Sequence, residues 1–280
     1  MSQGFLIFTR TSSDHRSAAA CAYSIKNKNP DAKVAMVVAS TLDISEDFAE
    51  PFDDIIEYPF GCNHFSSGQL HWQGYWASPY DYTIGLSPQT LVMKNMDNEF
   101  EYLMSNHNIC FPTTITNFRG ERPPFTDPRY NFYDQYNLRI FYSDFFYFDK
   151  SDLSLDYFKL ADPLFQNGKD SLSQVIEGHY IPDSFCSDLM HSITIKFLEA
   201  TNDAQPLDDT ILSYIDMDIA QYYFSKRYNQ WTDYLNVWPG DHGEVKIQNF
   251  VVNNLLSYKE AQFLSEEIFN EQRNTFRLSN

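Results

Sequence analysis

Continuous apolar runs, separated by one helical segment and by turns, constrain the fold of this chain most strongly. The first run covers residues 4–9, and a helix is predicted over residues 14–28, before a turn at 29–31. Two more apolar runs follow at residues 34–39 and 54–58. Strands that are apolar on consecutive residues are covered on both faces, as in parallel sheets. The order strand, helix, strand, strand predicts an α/β fold with a mostly parallel, twisted sheet flanked by helices.

A fourth apolar run ends in a short polar break. Residues 82–86 are followed by Ser87, Pro88 and Gln89, and the apolar pattern resumes over residues 90–93. Pro88 has no N–H to donate, so a strand must stop or bulge there. Because open α/β sheets bind their ligands where strands end, this break is the first candidate for a binding site.

The second half of the chain combines helices, an aromatic strand and a long irregular stretch. Helices are predicted over residues 98–104, from residue 151 or 152, and up to residue 198, and a strong strand over residues 139–148. The stretch 111–137 is rich in Pro, Arg, Tyr and Asn. Its aromatic content favours a substrate-facing lid or acceptor loop over a disordered segment.

Two polar residues each allow two interpretations. Asp144 falls among apolar neighbours, and a buried carboxylate needs a partner. It therefore either faces a pocket or pairs with one of the nearby arginines. His242 is flanked by Gly240 and Gly243, which favours an exposed turn histidine over a ligand-binding one.

Charge and cysteine content exclude several classes of protein. The chain of 280 residues has a formal net charge of −18, and a surface this acidic repels phosphate backbones, which disfavours a nucleic-acid partner. The four cysteines lie far apart, without a C-x-x-C pair, which suggests a reducing compartment. No apolar run approaches a membrane span, and a signal-peptide core is lacking. We therefore expect a cytoplasmic protein, including the cytoplasm of an infected host, with no membrane partner.

Several motifs resemble the glycosyltransferases of the GT-A fold, in particular a glycogenin-like branch from tailed bacteriophages. The similar segments are residues 52–60, 72–84, 150–152, 231–238 and 245–250, within a resemblance that covers about residues 4–267. The resemblance implies a single GT-A-like domain over residues 1–280. Residues 1–105 would form the nucleotide-binding half, and residues 106–280 the acceptor-side half and C-terminal helices.

The resemblance is weakest where that family binds its metal. Ser87 and Gln89 stand in place of the two carboxylates of the Asp-x-Asp motif, and Ser257 stands in place of a ligand histidine. A hard divalent ion binds carboxylates and imidazole far better than hydroxyls or amides, so no metal is expected. His71 occupies the family's basic position on the aromatic helical segment, a weaker cation than the family uses.

The resemblance also implies a donor site for a UDP- or GDP-sugar. It places the donor near Thr9, Arg10, Thr11, Ser87 and Gln89. Without a metal, the diphosphate would be held by N–H groups of helix termini and by basic side chains, namely Arg10, Arg16, His71 or Lys246. Asp188 would face the donor sugar, although an acidic residue in a first helical turn is also a simple cap.

Two functions remain open at the level of sequence. The first is a metal-independent glycosyltransferase that acts on a glycan, a protein or a hydroxymethylated base. The second is an inactive pseudo-glycosyltransferase, which would act by binding an active homologue, a host protein or a second copy of itself.

Overall fold

The computed structural model describes residues 2–40, 44–62, 67–122, 133–175, 187–198, 211–215, 235–258 and 260–279. In this part of the chain the strands are β1 (Gln3–Phe8), β2 (Lys33–Val38), β3 (Asp54–Glu57), β4 (Tyr82–Leu86), β5 (Thr90–Val92), β6 (Ile109–Cys110), β7 (Ile115–Asn117), β8 (Phe145–Asp149), β9 (Leu212–Ile215), β10 (Val237–Pro239), β11 (Val245–Ile247), β12 (Phe250–Val251) and β13 (Leu255–Tyr258). The α-helices are α1 (Ser12–Lys28), α2 (Glu46–Ala49), α3 (Gly74–Ala77), α4 (Asp97–Asn106), α5 (Asp152–Val175), α6 (Ser187–Phe197) and α7 (Glu266–Ser279). Short 3-10 helices cover Ser67–Gln73, Asp241–Gly243 and Ala261–Phe263.

The main sheet confirms the predicted α/β architecture. Its strand order is β3-β2-β1-β4-β8-β6, and the pairs β3–β2, β2–β1 and β1–β4 are parallel. β8 is inserted antiparallel between β4 and β6. Because β1 to β4 run in the same direction, their last residues lie along one side of the sheet, which we call the carboxyl edge. β6 and β8 come from beyond residue 105, so both predicted halves of the chain build this sheet.

Helix α1 returns the chain from β1 to β2. The carboxylate of Asp14 accepts hydrogen bonds from the backbone N–H groups of Arg10 and Thr11, both at 3.0 Å, which closes the first turn. The side chains from Ala18 to Ala22 are all fully buried and small, so the helix packs closely on the sheet. Pro30 follows the helix and prevents its continuation.

Aromatic side chains fill the core on one face of the sheet. Phe8, Phe146 and Phe148 lie there with Trp72 and Tyr157, all at most 3% exposed. Phe145 alternates to the opposite face, where α1 packs. Each fully buried side chain of this size contributes roughly 1.5–3 kcal/mol of apolar burial, which explains why β8 is so rich in phenylalanine.

A second sheet begins where the polar break of β4 ends. Its order is β5-β13-β9-β7, with β13 antiparallel to β5 and parallel to β9. Ser257 pairs directly with Thr90. A third sheet, β10-β11-β12, is joined to the last turn of α1 through Lys28 Nζ, which donates to the carbonyl of His242 at 3.2 Å.

The strand predicted over residues 139–148 is shorter in the structure. β8 begins only at Phe145, because the preceding residues make contacts outside the sheet: Tyr142 N donates to Pro112 O, and Ser143 N donates to the Asp188 carboxylate. His242 is exposed in a turn with φ 58°, as predicted. The central part of the predicted lid, residues 123–132, lies outside the described residues, as do residues 182–186 and 231–234.

Among the helices that the structure describes, none combines the length and the apolar character needed to cross a membrane.

Candidate functional site

The polar break Ser87-Pro88-Gln89 forms a corner at the carboxyl edge, between β4 and β5. Ser87 N donates to the carbonyl of Asp144 at 3.0 Å, just before β8 begins. Gln89 O accepts the N–H of Tyr258 at 3.0 Å, at the end of β13. The corner is therefore connected to two chain segments that are distant in sequence, and we call it the Ser87 corner.

Asp144 and Ser257 meet beside the Ser87 corner. Ser257 Oγ donates to Asp144 Oδ2 at 2.5 Å, and Ser257 is 2% exposed. Thr90, directly opposite Ser257 on β5, projects from the same face, and among the residues that the structure describes its buried hydroxyl has no hydrogen-bond partner. The three positions that the family resemblance compared with metal ligands, 87, 89 and 257, thus lie close together.

Asp144 provides a carboxylate at this corner that the motif comparison did not assign. Of the two interpretations left open by the sequence, the arginine pair is wrong for the described residues, since the partner of the Asp144 side chain there is Ser257. A single carboxylate surrounded by hydroxyl and amide groups does not fit Mg²⁺ or Mn²⁺ as a resident cofactor. Within the described ranges, no three His, Cys, Asp or Glu side chains form a metal-binding group.

Asp188 lies in the first turn of α6 and is hydrogen-bonded to the residue before Asp144. Ser143 donates to Asp188 Oδ1 through its N–H at 2.8 Å and through its hydroxyl at 2.7 Å. The Ser143 hydroxyl also lies 2.7 Å from Ser187 Oγ. Asp188 therefore holds the start of α6 against the segment that carries Asp144, which is more than a helix cap alone would do.

The loop after β1 provides one basic side chain at the carboxyl edge. Thr9 is fully buried, and its hydroxyl donates to Val37 O at 2.8 Å, so it serves the fold in this structure. Thr11 precedes α1, and its N–H and hydroxyl both contact the Asp14 carboxylate. Arg10 is half-buried, and in the described part of the chain its guanidinium has no hydrogen bond or ion pair.

The other predicted cations have different positions. Arg16 donates to Leu264 O at 2.7 Å and to Glu266 Oε1 at 3.0 Å, so it connects α1 to the start of α7. Lys246 lies 3.8 Å from Glu244, on the sheet that contacts the last turn of α1. Because α1 is about 25 Å long, that turn is far from Thr11 and the loop after β1.

His71 is buried in the aromatic core and cannot act as the predicted cation. Its ring packs against Phe8 and Phe146 at centroid distances of 4.9 and 5.2 Å, and Nδ1 lies 3.4 Å from Nε2 of His191. Nδ1 of His191 is hydrogen-bonded to the Tyr157 hydroxyl. Burial lowers the pKa of His71 to about 3 and lowers that of His191 as well. Both rings are therefore neutral at pH 7, and we call them the buried histidine pair.

No motif in the sequence indicates a role for Ser143, Thr90 or His191. A usable signal for Ser143 and Asp144 was their position as a polar pair immediately before an apolar strand. The role of His191 had no such signal, because it depends on α6 packing against the 3-10 helix that carries His71.

The sheet order, the carboxyl-edge site and the flanking helices together define a GT-A-type fold. No family model matches the sequence, and no curated protein matches it. Among solved structures, the glycosyltransferase GlyE of Streptococcus pneumoniae TIGR4 matches with a TM-score of 0.56 and 9% identity over 98% of this chain. The chain spans 60% of the length of that GlyE structure.

The galactosyltransferase LgtC has a similar fold over nearly its whole length. Its structure in complex with donor and acceptor sugar analogs matches with a TM-score of 0.53 and 10% identity, over 99% of this chain and 95% of that one. At such low identity the similarity shows the fold alone.

Proposed function

We propose that this chain binds a nucleotide sugar at the carboxyl edge and transfers the sugar without a resident divalent ion. One observation carries the proposal: the Ser87 corner, Ser257, Asp144 and Asp188 converge at the edge where sheets of this fold class bind their ligands. The acceptor would be a glycan, a protein or another hydroxyl compound.

Arg10 is the residue that would stabilise the leaving group. When the sugar–phosphate bond breaks, negative charge increases on the diphosphate and must be met by fixed positive charge or N–H donors. The Arg10 guanidinium offers a planar pair of donors that suits phosphate oxygens. No described ion pair competes for this guanidinium.

The uncharged Ser87 corner would help to bind the nucleotide sugar, because it contributes hydrogen-bond donors without adding negative charge. Ser87 and Gln89 can donate hydrogen bonds to phosphate or sugar oxygens, whereas two aspartates at these positions would repel a diphosphate unless a metal lay between them. The replacement of the carboxylates by these residues is consistent with binding that depends on hydrogen bonds and Arg10.

Asp188 and Asp144 would orient the sugar. Carboxylate oxygens accept hydrogen bonds from sugar hydroxyls, and both side chains are positioned by serine hydroxyls, Ser143 for Asp188 and Ser257 for Asp144. Such supporting contacts reduce the motion of groups that must hold a substrate in one orientation.

The alternative function is a binding or regulatory protein that retains the fold without catalysis. It is favoured by the replacement of every family metal ligand and by the neutrality of His71. In that case the carboxyl edge would bind a nucleotide, or a partner protein, without turnover.

Calorimetric titration distinguishes these functions. Wild-type protein is titrated with UDP, GDP and their sugars, with and without Mn²⁺, and slow hydrolysis of the bound sugar is followed by chromatography. We expect micromolar binding that is independent of Mn²⁺, followed by hydrolysis. Binding without hydrolysis would favour the regulatory function, and an absence of nucleotide binding would contradict the donor site.

Replacement of Arg10 locates the diphosphate. We expect Arg10→Ala to weaken binding of UDP by about tenfold or more, since charge-assisted hydrogen bonds contribute roughly 1.5–3 kcal/mol. Arg277→Gln is the matched control, because it removes the same charge from a residue that pairs with Glu50 near the end of α7. Equal affinities for the two variants would contradict the role of Arg10.

A further inference from the structure

An exposed aromatic surface lies at the carboxyl edge, outside the site described above. The ring of Phe60 is 59% exposed and stacks on Trp72 at a centroid distance of 5.4 Å and an interplanar angle of 14°. Trp76 stands nearly perpendicular to Phe60, at 5.3 Å and 84°. We call these three residues the Phe60 platform.

The chain holds the Phe60 platform in place by specific hydrogen bonds. Phe60 N–H donates to Gln73 Oε1 at 3.0 Å, and Gln73 Nε2 donates to Gly61 O at 2.7 Å. Gly61 has φ 76°, a conformation that glycine adopts readily. The turn therefore presents the ring before any ligand arrives, which reduces the ordering cost of binding.

Trp72 adds an unused hydrogen-bond donor next to the exposed ring. The residue is 3% exposed, and its indole N–H has no acceptor in the described part of the chain. Buried donors are nearly always paired with protein or water, so an unpaired one calls for an explanation. Because this N–H is itself buried, a ligand oxygen would reach it only if neighbouring side chains turned aside.

The chemistry of the platform suits a neutral ligand. The acids near it in sequence include Asp54 and Glu57 in β3, and a cation, Lys150, lies beside it, with Nζ 4.5 Å from the centre of the Tyr75 ring that contacts Trp76. Charges of both signs therefore occur near the platform, and charge alone does not select an anionic ligand. An aromatic face beside hydrogen-bonding groups suits a sugar, whose ring has an apolar C–H face and hydroxyls at its rim.

The platform lies within reach of the proposed donor site. Phe60 follows β3, which is two strands from β1 and Arg10, a distance of about 10 Å at the usual strand spacing. The 3-10 helix Ser67–Gln73 carries Trp72 near one end, and near its other end a Cβ placed on Gly68 would lie 3.4 Å from Ser187, next to Asp188. A short oligosaccharide spans such distances.

We propose that the Phe60 platform is a stacking subsite for a neutral oligosaccharide, which would be the acceptor in the proposed transfer. The role of this saccharide as the acceptor rests on the proposed function, whereas saccharide binding by the platform does not. The single exposed ring matches the size of one sugar unit better than it matches a protein interface, which needs a larger continuous surface.

The test is binding of a panel of neutral di- to tetrasaccharides of glucose, galactose, mannose and N-acetylglucosamine, measured by saturation-transfer NMR without nucleotide. We expect at least one to bind, with the affinity falling about tenfold in Phe60→Ala and changing less than about twofold in Phe60→Trp, since aromatic stacking tolerates a larger ring. Phe250→Ala is the matched control, because Phe250 is another exposed aromatic residue, 42% exposed, on β12.

Three results would overturn the proposal. They are failure of every saccharide to bind wild-type protein, an equal loss of binding in Phe60→Ala and Phe250→Ala, and a change of sedimentation coefficient in Phe60→Ala, which would indicate a protein interface. Parallel titration with UDP separates this proposal from the donor site: saccharide binding with no UDP binding would support the platform and contradict the transferase.

Discussion

The Ser87 corner and the buried histidine pair both contain polar residues that the sequence marked, yet their environments differ. At the corner, Asp144 and Ser257 are hydrogen-bonded to each other where strands end. The histidine pair lies between Phe8, Phe146 and Tyr157, and His71 is only 4% exposed. Burial keeps these imidazoles neutral, whereas Asp144 is only partly buried.

A residue that a motif matches to a cation need not carry a positive charge. The family resemblance suggested a cation at His71, but the rings around it remove the water that would stabilise its protonated form. Arg10 is not part of that helical segment, yet it retains a guanidinium without a described partner at the carboxyl edge. The positive charge needed for a diphosphate is therefore expected from the loop after β1.

The largest effect is expected from restoring metal ligands at the corner. In a variant with Ser87→Asp, Gln89→Asp and Ser257→His, we expect Mn²⁺ to bind at micromolar concentration, where the wild type binds more weakly than millimolar. That difference corresponds to at least about 4 kcal/mol. Calorimetry checks it, and the control is the same variant with asparagine at 87 and 89. Failure of both to bind Mn²⁺ would contradict the correspondence of these three positions with metal ligands.

Acid should act on the buried histidine pair. The folded pKa of His71 is about 3 and the unfolded pKa is about 6.5, so below pH 6.5 the unfolded chain binds a proton that the folded chain does not. The stability contributed by the neutral ring is present above pH 6.5 and is lost as the pH falls towards 3. We expect a loss of about 2 kcal/mol at pH 5 from His71 alone, and a further loss from His191.

Urea denaturation at pH 7.5 and pH 5 measures this loss. His71→Phe and His191→Phe should each reduce the difference in unfolding free energy between the two pH values. The matched control is His242→Phe, since His242 is exposed in a turn. If the three variants show the same pH dependence as wild type, the acid sensitivity has another origin.

The sequence was sufficient for those parts of the fold that depend on local pattern. The four parallel strands followed from continuous apolar runs, and β4 ends at Leu86, immediately before the polar break. The position of Ser257 beside the corner could be anticipated only through the family resemblance, because it depends on pairing of β13 with β5 across most of the chain.

The sequence was insufficient where burial and tertiary packing determine chemistry. The sequence suggests a cation at His71, whereas the structure buries this ring against Phe8, Phe146 and, from a distant part of the sequence, His191 on α6. This burial keeps His71 neutral. The shortening of the strand at residues 139–144 arises in the same way, since Ser143 bonds to Asp188 on α6 instead of a neighbouring strand. Local propensity favours a strand there, and a tertiary hydrogen bond overrides it.

The smallest effect is expected from Ser143, and it tests whether Asp188 serves the site or only the fold. Ser143→Ala removes a hydroxyl that donates to the Asp188 carboxylate, and we expect a loss of about 1–2 kcal/mol of stability, since bonds to charged groups exceed neutral ones. Ser192→Ala is the matched control, because the Ser192 hydroxyl donates to the backbone carbonyl of the same Asp188 at 2.8 Å.

Nucleotide-sugar binding then separates the two roles of Asp188. If Asp188 contacts the donor sugar, Ser143→Ala should weaken the binding of UDP-sugars by a few-fold while leaving the affinity for UDP unchanged, because the diphosphate and base contacts do not involve this carboxylate. Ser192→Ala should change neither affinity. If both serine variants leave sugar-nucleotide binding unchanged while lowering stability, Asp188 serves only to fix the first turn of α6 against the segment before β8.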